Sequence, residues 1–148
     1  MASSIRTTLL VATLGLAMAC EPLSMLPGGT LSGEVASAPD EWSVATDMEV
    51  IQLETRLADP YSINIWGAGL GPDLYVATGG DGTTWTEFIA KDPRVRVRIG
   101  EVIYELTAVQ VDDAREKAQV AAAYVVKYAL DPEDNWVDEG MVIRLDRR

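Results

Sequence analysis

The run Arg94-Val95-Arg96-Val97-Arg98-Ile99 constrains this chain more than any other feature. Successive side chains of an extended strand point to opposite faces. Val95, Val97 and Ile99 therefore share one face, and Arg94, Arg96 and Arg98 share the other. A helix would mix the two sets around its circumference and bury charge. The same period recurs in Glu49–Leu57, where Ile51, Leu53 and Leu57 oppose Gln52, Glu54 and Arg56. It recurs again after Gly140, where Met141, Ile143 and Leu145 alternate with other residues. Several strands, each with one apolar face, predict a sheet that must cover that face.

The intervening segments supply turns and helices. Asp59-Pro60 turns the chain into a second strand, Ser62–Trp66, and Gly67–Asp73 reads as a glycine-rich reversal. Leu74–Thr78 then returns as the antiparallel partner of Ser62–Trp66, ended by Gly79-Gly80-Asp81-Gly82. Thr84-Trp85-Thr86-Glu87 fits a capping box with Thr84 as N-cap. It opens a short helix that buries Trp85, Phe88 and Ile89 and stops before Pro93. Val95–Ile99 and Val102–Val109 form a hairpin around Gly100-Glu101. Asp113 with Glu116 starts a longer helix with an apolar stripe of Ala114, Ala118, Ala121, Val125 and Tyr128, and Pro132 ends it. The expected fold is β-rich α+β: a small antiparallel barrel with one short and one longer helix at its side or mouth.

The N-terminus reads as an address. Arg6 precedes the apolar run Leu9–Met18, which is too short to span a bilayer, and Ala17-Met18-Ala19 is a small-x-small cleavage pattern. Cys20, the sole cysteine, follows directly. The arrangement resembles a bacterial lipoprotein signal, in which the cysteine is acylated and becomes the first residue. Ala17 stands where Leu is usual, and an ordinary signal peptide cut at the same place is the alternative. The expected division is a signal peptide over 1–19, a lipidated Cys20 with a Pro-, Gly- and Ser-rich flexible tether to 41, and a single domain over 42–148. The protein is then exported and held on a membrane of the cell envelope, the outer membrane if the cell has one.

Composition narrows the chemistry. The formal net charge is −11, so nucleic acid is not an expected partner. There is no histidine, which removes Ser-His and Cys-His nucleophilic pairs and His-ligated metals. No disulfide can form within the chain. No metal site is expected: Glu133, Asp134, Asp138 and Glu139 lack the spacing of a calcium loop.

Ile65–Trp85, Ile89–Asp113, Ala122–Asn135 and the closing Val142–Arg148, taken in order, resemble the split-barrel family related to pyridoxamine-phosphate oxidase. They are most similar to its deazaflavin-dependent nitroreductase-like branch. The resemblance covers Met48 to Arg148. It implies an FMN-binding-like split β-barrel, a homodimer, and FMN or a deazaflavin serving hydride transfer to a small organic acceptor. Carried onto this chain, Thr78, Gly79 and Gly80 would wall the ring, Thr84 and Trp85 would open the phosphate-facing helix, and Lys91 would lie near the phosphate tail. Tyr124 and Tyr128 would border the substrate pocket as candidate catalytic residues. The family's basic turn between its first strands is here Ala58-Asp59-Pro60-Tyr61, without a positive charge. The alternative is therefore a non-catalytic envelope lipoprotein whose barrel holds no cofactor and binds a small ligand or a protein partner.

The residues themselves leave parallel alternatives. Lys91, Arg94, Arg96 and Arg98 form either an anion site or a solvated face with Arg96 or Arg98 opposite Glu105. Gly79-Gly80-Asp81-Gly82 is a phosphate nest or a plain turn. Trp66, Trp85 and Trp136 stack on a planar ring or fill the core, and Trp42 covers a barrel edge. Tyr124, Lys127 and Tyr128 meet on one side of a helix.

Overall fold

The computed structural model describes residues 21–24, 26–133 and 136–148. The expected export signal and Cys20 lie outside the described residues. The strands are β1 (Glu34–Ala36), β2 (Ile51–Thr55), β3 (Tyr61–Ile65), β4 (Gly67–Leu70), β5 (Asp73–Thr78), β6 (Arg94–Ile99), β7 (Val102–Gln110) and β8 (Met141–Arg147). The helices are α1 (Ser43–Thr46), α2 (Thr84–Lys91), α3 (Ala114–Tyr128) and α4 (Trp136–Glu139). The sheet runs β3-β2-β6-β7-β8-β5-β4, and β1 pairs in parallel with the free side of β7 over Val102–Tyr104.

Closure follows from one local fact. β3 and β4 are consecutive in sequence with only Trp66 between them, yet they stand at opposite ends of the strand order. A flat sheet cannot place its two ends one residue apart, so this sheet curls on itself as a split barrel. Gly67 sits at the junction, where a Cβ would lie 2.6 Å from Ile51 Cδ1.

The interior is built by the alternation read from sequence. Ile51 and Leu53 of β2, Val95, Val97 and Ile99 of β6, Leu106 of β7 and Ile143 of β8 point inward, with Trp85 and Trp42 among them. Trp42 is therefore core and does not cover an edge; its ring meets Tyr104 edge-on at 5.0 Å. A second cluster lies on the other face of β5 and β8, where Tyr75, Ala77 and Val142 pack beneath Val120 and Tyr124 of α3. β5 is thus buried on both faces.

Several expectations are corrected. Gly67–Leu70 is a strand, not part of a reversal, and β5 pairs with β4 and β8, not with β3. Glycine is needed here for close approach: a Cβ on Gly69 would run into the Trp42 carbonyl and lie 2.7 Å from Trp42 Cβ. The turn itself is confined to Gly71 (φ +56°) and Pro72. The N-cap of α2 is Thr83, not Thr84, and its capping-box partner is Thr86. In α3 the buried residues are Val120 and Tyr124, while Ala114 and Ala118 are exposed. Larger side chains bury more area, so they, and not the alanines, orient the helix. The expected tether is, over much of its length, laid on the polar face of β3, β2 and β6. Leu31 is buried, Gly28 bridges to Ser62, and β1 extends the sheet.

Candidate functional site

The arginine stripe of β6 is fully matched by carboxylates of the same chain. Arg94 holds Asp92 through two hydrogen bonds of 2.9 and 2.7 Å, which keeps that carboxyl down at about 2. β2 and β6 pair with Glu54 opposite Arg96. Arg96 Nη1 donates to both oxygens of Glu54, at 3.0 and 3.2 Å. Glu54 is 1% exposed and also accepts the Leu31 N–H. Arg98 donates to Glu21 and to the Ser32 carbonyl. Glu105 does stand opposite Arg96 across the hairpin, but its ion pair is with Arg148. The stripe is therefore not an open anion site, because the turn before β6, β2 and the N-terminal segment bring one carboxylate each to Arg94, Arg96 and Arg98. Lys91 makes no ion pair among the described residues.

The Glu21–Arg98 latch has a pH signature. The guanidinium beside Glu21 holds its carboxyl below the usual carboxylate range. A depressed carboxylate contributes stability above its unfolded pKa and loses it as pH falls through the folded value. The protection factors of the β1 amides, corrected for the intrinsic pH dependence of exchange, should thus stay constant from neutral pH to about pH 4 and fall below it. Loss of protection at pH ~6 would contradict the latch.

The expected cofactor wall is only partly assembled. Thr78 ends β5 half-buried, and Gly79 and Gly80 follow in an exposed turn with Gly80 at φ +63°. This turn leads into Thr84 and Trp85 at the start of α2, but Trp85 is swung into the core. Lys91 is at the other end of the same helix, about 10 Å from Thr84 at 1.5 Å per residue. The residues expected to hold one phosphate are therefore separated. The cleft beside the glycine turn, ≈ 270 Å³, sets Asp81 and Asp112 against a single Lys117, a poor environment for a phosphate. Gly140 locks the turn from behind. A Cβ there would collide with the Thr78 carbonyl and lie 2.6 Å from the Trp136 carbonyl, both backbone groups. Gly140→Ala should cost about 1–3 kcal/mol in a urea melt; an unchanged midpoint would refute this packing.

The paired tyrosines are committed to backbone. Tyr124 is completely buried, and its hydroxyl donates to the Trp66 carbonyl at 2.8 Å. The Tyr128 hydroxyl accepts the Gly67 N–H at 2.9 Å and lies 2.9 Å from the Gly67 carbonyl. Its ring stacks on Trp66 at 4.3 Å. Lys127 Nζ donates to the carbonyls of Ala45 (2.6 Å) and Gly67 (2.5 Å), and burial lowers its pKa. Burial pushes both phenols up, Tyr124 furthest, which makes them weak proton donors. These side chains pin the one-residue crossover from β3 to β4. Trp66 and Trp136 belong to the same aromatic cluster.

One concavity was not legible in the sequence. A groove of ≈ 740 Å³ runs between α3 and β4. Ala68, Leu70, Val120 and Ala123 give it an apolar wall, with Lys127 also lining it. On the same wall, Tyr75 donates to Glu116 at 2.9 Å, and Glu116 accepts Arg144 at 2.8 Å. Volume and lining fall in the range of small-molecule sites. Reading β4 as a loop hid the wall. Among the described residues no group of acidic or cysteine side chains could hold a metal.

No family model and no curated protein matches the chain. Solved structures do. A pyridoxamine 5'-phosphate oxidase-like protein from Listeria innocua is 20% identical, with TM-score 0.58, over 72% of this chain and 90% of that one. An FAD-binding protein from Mesorhizobium loti is 21% identical, with TM-score 0.55, over 72% and 84%. A domain-swapped dimer is 12% identical, with TM-score 0.56, over 68% and 81%. These likenesses show the fold: a split β-barrel of the pyridoxamine 5'-phosphate oxidase-like kind.

Proposed function

We propose that this protein is a lipid-anchored envelope protein whose split barrel binds a small, largely apolar ligand and does no chemistry on it. The observation that carries this reading is the pairing of Arg94, Arg96 and Arg98 with Asp92, Glu54 and Glu21. The chain's own carboxylates stand where the charge of an anionic cofactor would otherwise be welcome. The tyrosine hydroxyls are likewise used by backbone, and the α3–β4 groove offers a concavity for a ligand. Anchoring rests on Cys20 behind an export signal, and self-association as a homodimer is consistent with the fold.

A flavin- or deazaflavin-dependent reductase is the second reading. The exposed Gly79–Gly80 turn and Lys91, which makes no ion pair among the described residues, favour it, as does the likeness to an FAD-binding protein. A titration separates the two. The full chain should show no saturable binding of FMN, FAD or a deazaflavin at micromolar concentration. It should bind the neutral apolar probe N-phenyl-1-naphthylamine, and Ala123→Trp, which fills the groove, should abolish that binding. Saturable flavin binding weakened by Lys91→Ala would replace the first reading with the second.

A further inference from the structure

We propose that the surface formed by Leu23 and Leu26 contacts the membrane and enters the leaflet that takes the acyl chains of Cys20. The inference deepens the anchoring reading above and rests on it. Leu23 and Leu26 are 73% and 70% exposed, whereas most other leucines among the described residues are buried. Exposed apolar side chains in a pair need a reason, and their backbone supplies one. The Leu23 N–H donates to the Leu26 carbonyl at 3.2 Å, and the Leu26 N–H donates back to Leu23 at 2.9 Å. Asn64 Nδ2 donates to the carbonyls of Pro22 (3.3 Å) and Ser24 (3.0 Å). The backbone N–H and C=O groups of Leu23 and Leu26, which would resist an apolar medium, are therefore paired with each other, and the carbonyls of Pro22 and Ser24 are tied to β3. Glu21, the charged residue just before this segment in the chain, is matched by Arg98.

Position names the occupant. The Glu21 carboxylate is tied to Arg98 on β6, and Cys20 is the residue before Glu21, one Cα–Cα step of about 3.8 Å along the chain. Leu23 is three residues from Cys20, at most about 11 Å at full extension. Acyl chains on Cys20 would enter the bilayer beside these two leucines and hold the barrel flush with the membrane. The net charge of −11 selects a zwitterionic surface over an anionic one.

The sole cysteine makes the test clean. The chain from residue 20 onward holds every described element, and Cys20 can be coupled to one myristyl chain through a maleimide. One such chain binds vesicles only marginally, with an association constant of about 10⁴ M⁻¹, so added contacts are visible. On neutral phosphatidylcholine vesicles, Leu23→Ser with Leu26→Ser should weaken sedimentation at least about 10-fold. Val126→Ser, 83% exposed on α3, should leave it unchanged. Equal binding by the leucine variant, or an equal loss with Val126→Ser, overturns the proposal. The mass of the protein recovered from cell membranes tests natural acylation of Cys20 separately. An unmodified cysteine would sink the anchoring reading without touching the vesicle result.

Discussion

Arg96→Met is expected to destabilise the fold by about 3–5 kcal/mol. The side chain of Glu54 is 2% exposed, and Arg96 is its only charged partner among the described residues. Removing the guanidinium leaves a carboxylate inside the protein without a counter-ion, and the Leu31 N–H alone cannot solvate it. The pair itself is not a large source of stability, because desolvating two charges offsets most of their attraction. Its importance is that neither member can be lost singly. Glu54→Leu combined with Arg96→Met should recover most of the loss, and a double-mutant cycle in urea measures the difference. A single variant within about 0.5 kcal/mol of wild type would show that water reaches Glu54 freely. Because Leu31 contacts the same carboxylate, the single variant should also loosen β1, seen as faster amide exchange at Glu34–Ala36.

Tyr124→Ala is the second large effect, about 3–5 kcal/mol, the range for removing a buried aromatic ring. The ring fills the second cluster between α3, β5 and Trp136, which it meets edge-on at 5.7 Å. Tyr124→Phe should cost only about 1 kcal/mol, the worth of the hydrogen bond to the Trp66 carbonyl. This pair of variants separates structure from catalysis. A proton-donating tyrosine would lose activity in the Phe variant with little loss of stability. A packing tyrosine loses stability in the Ala variant and changes no ligand affinity in the Phe variant.

Most of the main barrel was legible because half-buried strands write their burial directly into sequence. The alternation in β6 and β8, the β6–β7 hairpin at Gly100 and the N-cap at Asp113 are all where local rules put them. β4 was not, since Gly67, Ala68 and Gly69 carry no β signal. Their smallness answers to Trp42 and Ile51, far away in sequence. β5 hid its second buried face, because Tyr75 and Ala77 lie against a helix that comes later in the chain. The groove depended on both and was invisible for the same reason.

The sequence by itself determined a β-rich domain with an arginine-bearing strand, two main helices, no intrachain disulfide and no imidazole chemistry, and an N-terminus that reads as an address. Those properties follow from residue type and short-range period. Only the tertiary structure decided what the arginines and tyrosines are for. Glu21 and Glu54 lie 77 and 42 residues from the guanidiniums they meet. Trp66 and Tyr124 are 58 residues apart. Curling the sheet until β3 and β4 adjoin fixes those meetings. No local pattern encodes which cation a distant carboxylate will cover.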